Sequence, residues 1–151
     1  MARTLHHLRF AGADVLIEAD DGATLLEVAR QRLGVRSASR GCDDGKCGAC
    51  RLLVDGALVN ACTLRWDGVR EGAHLEAYEQ LEGEPDALRA VLAFGHERPT
   101  RCRLCTGGLG VTAVALARAG RARDPDAVEK ALETATCMCT GRGSLRRALL
   151  A

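Results

Sequence analysis

The stretch "GCDDGKCGAC", residues 41–50, places three cysteines within nine positions and interleaves them with Gly41, Gly45 and Gly48. Cysteine at this density either cross-links the chain or holds a metal. The glycines separate the two. A disulfide needs no glycine between its members, whereas a loop that wraps a bound group must bring its backbone close and aim N–H groups at it. A fourth cysteine, Cys62, stands beyond eleven intervening residues after Cys50.

The spacing of Cys42, Cys47 and Cys50, C-x4-C-x2-C, is that of a plant-type 2Fe–2S loop, and Cys62 supplies the fourth thiolate. Four thiolates on two sulfide-bridged irons carry about two negative charges when oxidised and about three when reduced. Tetrahedral zinc usually takes cysteines in pairs two to four residues apart, while here three crowd one loop. Rieske-type ligation needs histidine beside cysteine, and no C-x-H occurs in the chain. "CGAC" alone resembles a thioredoxin-type pair, but Cys42 and Cys62 at ferredoxin distances make the cluster the stronger reading.

The 151 residues suffice for one domain or two small ones. Apolar residues make up 47% and aromatic residues only 3%, so much of the interior is Leu, Val and Ala. A formal net charge of +1 points to neither nucleic acid nor an acidic membrane surface. Phe10, Trp66, Tyr78 and Phe94 are too scattered to stack bases. No apolar run is long enough for a membrane span, and "MARTLHHLRFAG" lacks both an apolar signal core and an arginine pair. The chain is therefore expected in the cytoplasm, where eight cysteines suit ligation better than disulfides.

Alternation of His6, Leu8 and Phe10, then of Val15 and Ile17, predicts a strand hairpin across "AGAD". "TLLE" from Thr24 to Glu27 is a capping box opening a helix with Leu25, Val28, Ala29 and Leu33 on one face, ended by Gly34. "RLLV" and "ALVN" flank Asp55-Gly56 as a second hairpin, and "HLEAY" suggests a last strand. Residues 79–84 read as a link. Four helices are expected beyond it: one through Leu88, Val91, Leu92 and Gly95, one through Leu109, Val114 and Ala117, one opened by Asp124-Pro125, and one capped by Ser144.

Cys102 and Cys105 form C-x2-C, and Cys137 and Cys139 form C-x-C, with 31 residues between the pairs. This set is less specific by itself, and zinc competes for it. Each pair nevertheless precedes a predicted helix, where free amides and the positive end of the dipole favour thiolate.

With "GCDDGKCGAC", "NACTL", "RCRLCTGG" and "CMCTGRGSL" in this order, nearly the whole chain resembles the small iron–sulfur subunit of the molybdenum hydroxylases. That family includes xanthine dehydrogenase, aldehyde oxidoreductase and aerobic carbon monoxide dehydrogenase. The resemblance implies an α+β chain with a β-grasp plant-type ferredoxin domain over residues 1–80 and a four-helix-bundle 2Fe–2S domain over residues 81–151. It implies two 2Fe–2S clusters, one on Cys42, Cys47, Cys50 and Cys62 nearer a flavin, the other on Cys102, Cys105, Cys137 and Cys139 nearer molybdenum. It further implies a large molybdopterin-binding partner and a medium FAD-binding partner, with single electrons relayed from molybdenum toward flavin and no substrate site in this chain. The alternative is a free-standing two-cluster ferredoxin-like carrier.

The chain departs from the family's pattern around the second set. Arg101 stands where glutamine is usual before the first cysteine, Arg103 and Leu104 where glycine and an aromatic are usual, and Gly107 where proline is usual. Met138 replaces an arginine between the last two cysteines, and Arg142 a tyrosine. One cation is lost and three are gained, so the positive field around the second cluster is expected to have moved rather than vanished. Asp43 and Asp44 either make the first cluster harder to reduce or are screened by water. Replacing Arg101 with Gln is expected to lower the second cluster's midpoint potential in an EPR-monitored titration.

Overall fold

The computed structural model describes residues 2–97 and 102–151, so Arg101 and the expectation attached to it lie outside the described residues. The alternating N-terminal run forms β1 (Arg3–Phe10), which pairs with β2 (Ala13–Asp20) in unbroken antiparallel register from Arg3↔Asp20 to Phe10↔Ala13. Helix α1 (Leu25–Arg32) opens on the expected capping box. The Thr24 N–H donates to Glu27 Oε2 at 2.8 Å, and the Glu27 N–H donates to Thr24 Oγ1 at 3.2 Å. Strands β3 (Arg51–Val54) and β4 (Ala57–Asn60) are joined through Asp55 and Gly56, whose φ angles of 50° and 81° suit the twist of a two-residue hairpin. Strand β5 (His74–Glu76) runs parallel to β1 and antiparallel to β3, giving a mixed sheet of order β2-β1-β5-β3-β4.

Leu8, Leu25, Val28, Leu52, Trp66 and Leu75 share one buried cluster that joins α1 to the sheet. Trp66 is wholly buried, and its indole N–H donates to the Thr4 carbonyl at 2.9 Å. It is a core residue. His6 is buried against it in an edge-to-face contact, with its ring nitrogens 3.2 Å from Glu71 Oε2 and 3.2 Å from the Trp66 carbonyl. That arrangement is structural.

The link begins with a turn of helix, α2 (Tyr78–Leu81), whose start is held by the Ala77 N–H donating to Gln80 Oε1 at 2.9 Å. Helices α3 (Pro85–Glu97), α4 (Thr106–Arg118), α5 (Pro125–Ala131) and α6 (Gly141–Leu150) follow. Asp124 caps α5 as expected, accepting from the Asp126 and Ala127 amides. One expectation is corrected. Helix α6 starts at Gly141 rather than after Ser144, because the Gly141 N–H bonds the Cys137 carbonyl at 2.8 Å and closes the turn early. Ser144 is buried in the first turn, its hydroxyl donating to the Gly141 carbonyl. On α3, Leu88 and Leu92 face outward, 50% and 57% exposed, while Ala87, Ala90 and Phe94 face inward. Alanine lets α3 lie close to α4 and α6, and the bulkier leucines are left outside.

Ala90, Phe94, Leu109, Val128, Leu132 and Leu145 form the core shared by these helices. Helix α4 is buried at every position from Gly107 to Val114, because β3 lies against one side and the other helices against the rest. Its glycines make this possible. A Cβ on Gly108 would sit 2.1 Å from the Gly48 carbonyl oxygen, and one on Gly110 would sit 2.4 Å from the Tyr78 ring. Among the described residues, no helix is long and apolar enough to cross a membrane.

Gly108→Ala is expected to cost at least about 2 kcal/mol in chemical denaturation, because the obstructing atom is backbone and has nowhere to go. Gly95→Ala, at a helical position with open space around it, is expected to be neutral or to gain up to about 1 kcal/mol.

Candidate functional site

The loop between α1 and β3 turns its amides inward onto sulfur. Lys46 N–H and Cys47 N–H point at Cys42 Sγ at 3.3 and 3.4 Å, Ala49 N–H at Cys47 Sγ at 3.4 Å, and Cys62 N–H at Cys50 Sγ at 3.4 Å. Gly48, at φ 72°, bends the loop so tightly that a Cβ there would lie 2.7 Å from the Ala135 side chain. A Cβ on Gly41 would fall 2.8 Å from Cys47 Sγ. The expected role of the glycines therefore holds: they clear space at the sulfurs and let the backbone reach them.

The thiols approach in twos. Cys42 stands beside Cys47, Cys50 beside Cys62, and Cys105 beside Cys137, each pair close enough to hydrogen-bond. Among the described residues no three His, Cys, Asp or Glu side chains gather as a site for a single ion. Pairs are what a binuclear cluster with two thiolates per iron requires. All eight cysteines are thiols rather than disulfides.

The environment acts unequally on Cys42, Cys62, Cys105 and Cys137. Burial opposes ionisation of Cys42, but the amides of Cys47, Asp44 and Lys46 outweigh it and hold this thiol below its usual range. Burial likewise opposes ionisation of Cys137, and the Thr140 hydroxyl and amide bring it down. Cys62 is pushed up to about 12 by burial and by Cys50, and Cys105 to about 12 by burial and by the charge of Cys137.

Cys105 is the cap residue of α4, and Cys137 and Cys139 precede α6, so both pairs of the second set stand at helix starts as expected. Among the described residues, the buried Thr106 hydroxyl next to Cys105 has no hydrogen-bond partner, a donor available to an anionic group. Cys102 and Cys139 are exposed, as is Met138 between the last two cysteines at 70%. Cys47 and Cys105 face each other across a cavity of about 10 Å³ that Gly48, Arg51, Gly108 and Thr112 also line. Asp43 and Asp44 lie in exposed ion pairs with Arg40 and Lys46, which offsets their charge beside the first set.

Several residues escaped the sequence reading. Arg51 begins β3 in "RLLV", read there only as a strand, yet it is 3% exposed. Its Nε donates to Asn60 Oδ1 at 3.1 Å, Nη1 to Thr112 Oγ1 at 2.9 Å, and Nη2 to Thr134 Oγ1 at 3.0 Å and to the Ala131 carbonyl. Burial lowers its pKa to about 10, while negative charge at Cys50 and Cys47 works the other way. The available signal was an arginine directly after a ligand-spaced cysteine. Glu79 on α2 accepts from the Arg36 and Ser37 amides at 2.6 and 2.8 Å and from the Ser37 hydroxyl at 2.6 Å, tying the link to the segment before the loop. No local pattern announces it.

Residues 8–81 match the 2Fe-2S iron-sulfur cluster binding domain family, a stretch that contains Cys42, Cys47, Cys50 and Cys62. The nicotine 6-hydroxylase small subunit of Paenarthrobacter nicotinovorans is 32% identical over 136 residues, covering 89% of this chain and 80% of that protein. The chain belongs to the family of small iron–sulfur subunits of the molybdenum hydroxylases. A further member of this family, the aldehyde oxidoreductase iron-sulfur-binding subunit PaoA of Escherichia coli, is 36% identical over 110 residues, 72% of this chain and 47% of its own. The chain thus spans about half the length of that relative. Among solved structures, quinoline 2-oxidoreductase from Pseudomonas putida 86 superposes with a TM-score of 0.79 at 26% identity, over 98% of this chain and 91% of the matched chain.

Burial opposes the charge on Glu79, but the bonds from Ser37 and Arg36 prevail and hold its carboxyl below the ordinary glutamate range. A depressed native value stabilises the fold above the unfolded pKa and loses that contribution as pH falls through the native one. Wild-type protein is therefore expected to resist urea better than Glu79→Gln at neutral pH, with the gap closing in acid.

Proposed function

We propose that this chain is the electron-transfer subunit of a molybdopterin-dependent oxidoreductase, relaying single electrons from a molybdenum site toward a flavin held by partner chains. Pairwise approach of the thiols, with amides aimed at the sulfurs, is the observation that carries this reading. Cys42, Cys47, Cys50 and Cys62 hold one 2Fe–2S cluster, and Cys102, Cys105, Cys137 and Cys139 hold the second. Residues 1–80 act as a β-grasp ferredoxin domain and residues 81–151 as a four-helix-bundle domain, working in the cytoplasm. When bound, each cluster takes up and returns one electron at a time.

The chain's own residues do the rest. The loop amides and the starts of α4 and α6 stabilise negative charge on sulfur. Burial of Cys47, Cys50, Cys62, Cys105 and Cys137 keeps water from that charge, so that it changes with little rearrangement of solvent. The second set opens to the surface at Cys102 and Cys139, the side suited to a large molybdopterin-binding subunit. The first set is most open at Cys42, the side suited to a medium FAD-binding subunit. Oxidation of the substrate belongs to a partner. A free-standing two-cluster carrier finds less support, because a relative sharing most of this chain's length is a small subunit by name.

Purified with its partners, the chain is expected to carry about four irons, with molybdenum and flavin present in the same complex. Cys62→Ser and Cys137→Ser are each expected to remove one of two EPR signals and leave the other. Colourless, iron-free protein made anaerobically with iron supplied would defeat the proposal.

A further inference from the structure

Arg40, Lys46 and Arg51 are the basic residues within the cysteine loop and at its two ends, and two of the three have a carboxylate partner. Lys46 pairs with Asp44 at 2.9 Å and Arg40 with Asp43 at 3.4 Å, all four of them exposed at the side chain. Arg51 is the exception. Its hydrogen bonds all go to neutral oxygens, on Asn60, Thr112, Ala131 and Thr134. Among the described residues, the acidic groups that act on it are the thiols of Cys50 and Cys47. A guanidinium with 3% exposure and no counter-ion is costly to bury unless an anion lies near.

The placement identifies that anion. Arg51 follows Cys50 in the chain, and a Cβ on Gly48 would lie 3.1 Å from its Nε. It lines the small cavity into which Cys47 faces from one side and Cys105 from the other. Its head group is fixed from three directions: by β4 through Asn60, by α4 through Thr112, and by the segment before Cys137 through Ala131 and Thr134. A cation so held cannot swing toward solvent.

We infer that Arg51 is the built-in counter-ion of the metal clusters, a positioning residue that raises their reduction potentials and acts more strongly on the cluster of Cys42, Cys47, Cys50 and Cys62. The inference rests on the cluster assignment proposed above. Each reduction adds one negative charge to a cluster and leaves Arg51 unchanged, so a fixed buried cation favours the reduced form. Across the cavity its hold on the second cluster is weaker, so it shifts the two potentials by different amounts.

The test is a dithionite titration of the purified complex, following the EPR signals of both clusters. Arg51→Met is expected to make the first cluster at least tenfold harder to reduce, about 59 mV for a one-electron couple, and to move the second in the same direction by less. Arg51→Lys keeps the charge and is expected to stay near wild type. Thr134→Asp sets a carboxylate against Nη2 from an exposed position and leaves Arg51 in place, so it reads out the same effect if Arg51→Met does not fold. It is expected to lower the first potential as well. Arg70→Met, which removes an exposed cation paired with Asp55, is expected to move neither. Wild-type protein without either signal would overturn the cluster assignment and this inference together. Both signals present, with Thr134→Asp at wild-type potentials and any folded Arg51→Met also unshifted, would overturn the inference alone.

Discussion

A backbone-to-backbone contact underlies the rest of this structure: the Gly48 carbonyl of the cysteine loop lies against helix α4 at Gly108, where even a methyl group would not fit. Gly107 repeats the condition against the Ser37 carbonyl, and Gly110 against the Tyr78 ring. A helix can approach a loop this closely only where side chains are missing on both sides. The contact brings Cys47 and Cys105, 58 positions apart in the chain, onto one small cavity. The distance between the two cysteine sets is thus set by packing of glycine, not by a flexible tether.

Holding negative charge inside a protein requires compensation from every available dipole. The loop supplies amides, and the second set supplies helix starts with the Thr140 and Thr106 hydroxyls. Arg51 supplies a full charge where the two halves meet. These contributions differ in kind. Amides and helix ends are local and follow from the turn that each cysteine sits in, whereas Arg51 depends on oxygens drawn from both halves of the chain. The buried thiols, Cys47 and Cys105, lie between, and the exposed ones, Cys102 and Cys139, lie at the margin.

Much of this was legible in the residues. Cysteine spacing, the Thr24 capping box, the Asp55-Gly56 turn and the Asp124-Pro125 start all encode geometry over a few positions, and the structure shows each. What they left open shares a cause. Leu88 and Leu92 marked the helix but not its inner face, which Ala87, Ala90 and Phe94 take because α4 and α6 lie close. Ser144 looked like a cap, but the Cys137 carbonyl had already captured the Gly141 amide. Trp66 is core because β1 covers it through the Thr4 carbonyl, which no local pattern shows.

By itself, then, the sequence determined which atoms can grip metal and which turns present them, because ligand spacing and capping are local properties of the backbone. Tertiary structure alone decided that the two cysteine sets share a wall, that "TGG" is a contact surface, and that Arg51 is buried without a carboxylate. The physical reason is range: an amide finds its sulfur within a few residues, while a buried charge is balanced by whatever the folded chain brings near it, from up to 83 positions away.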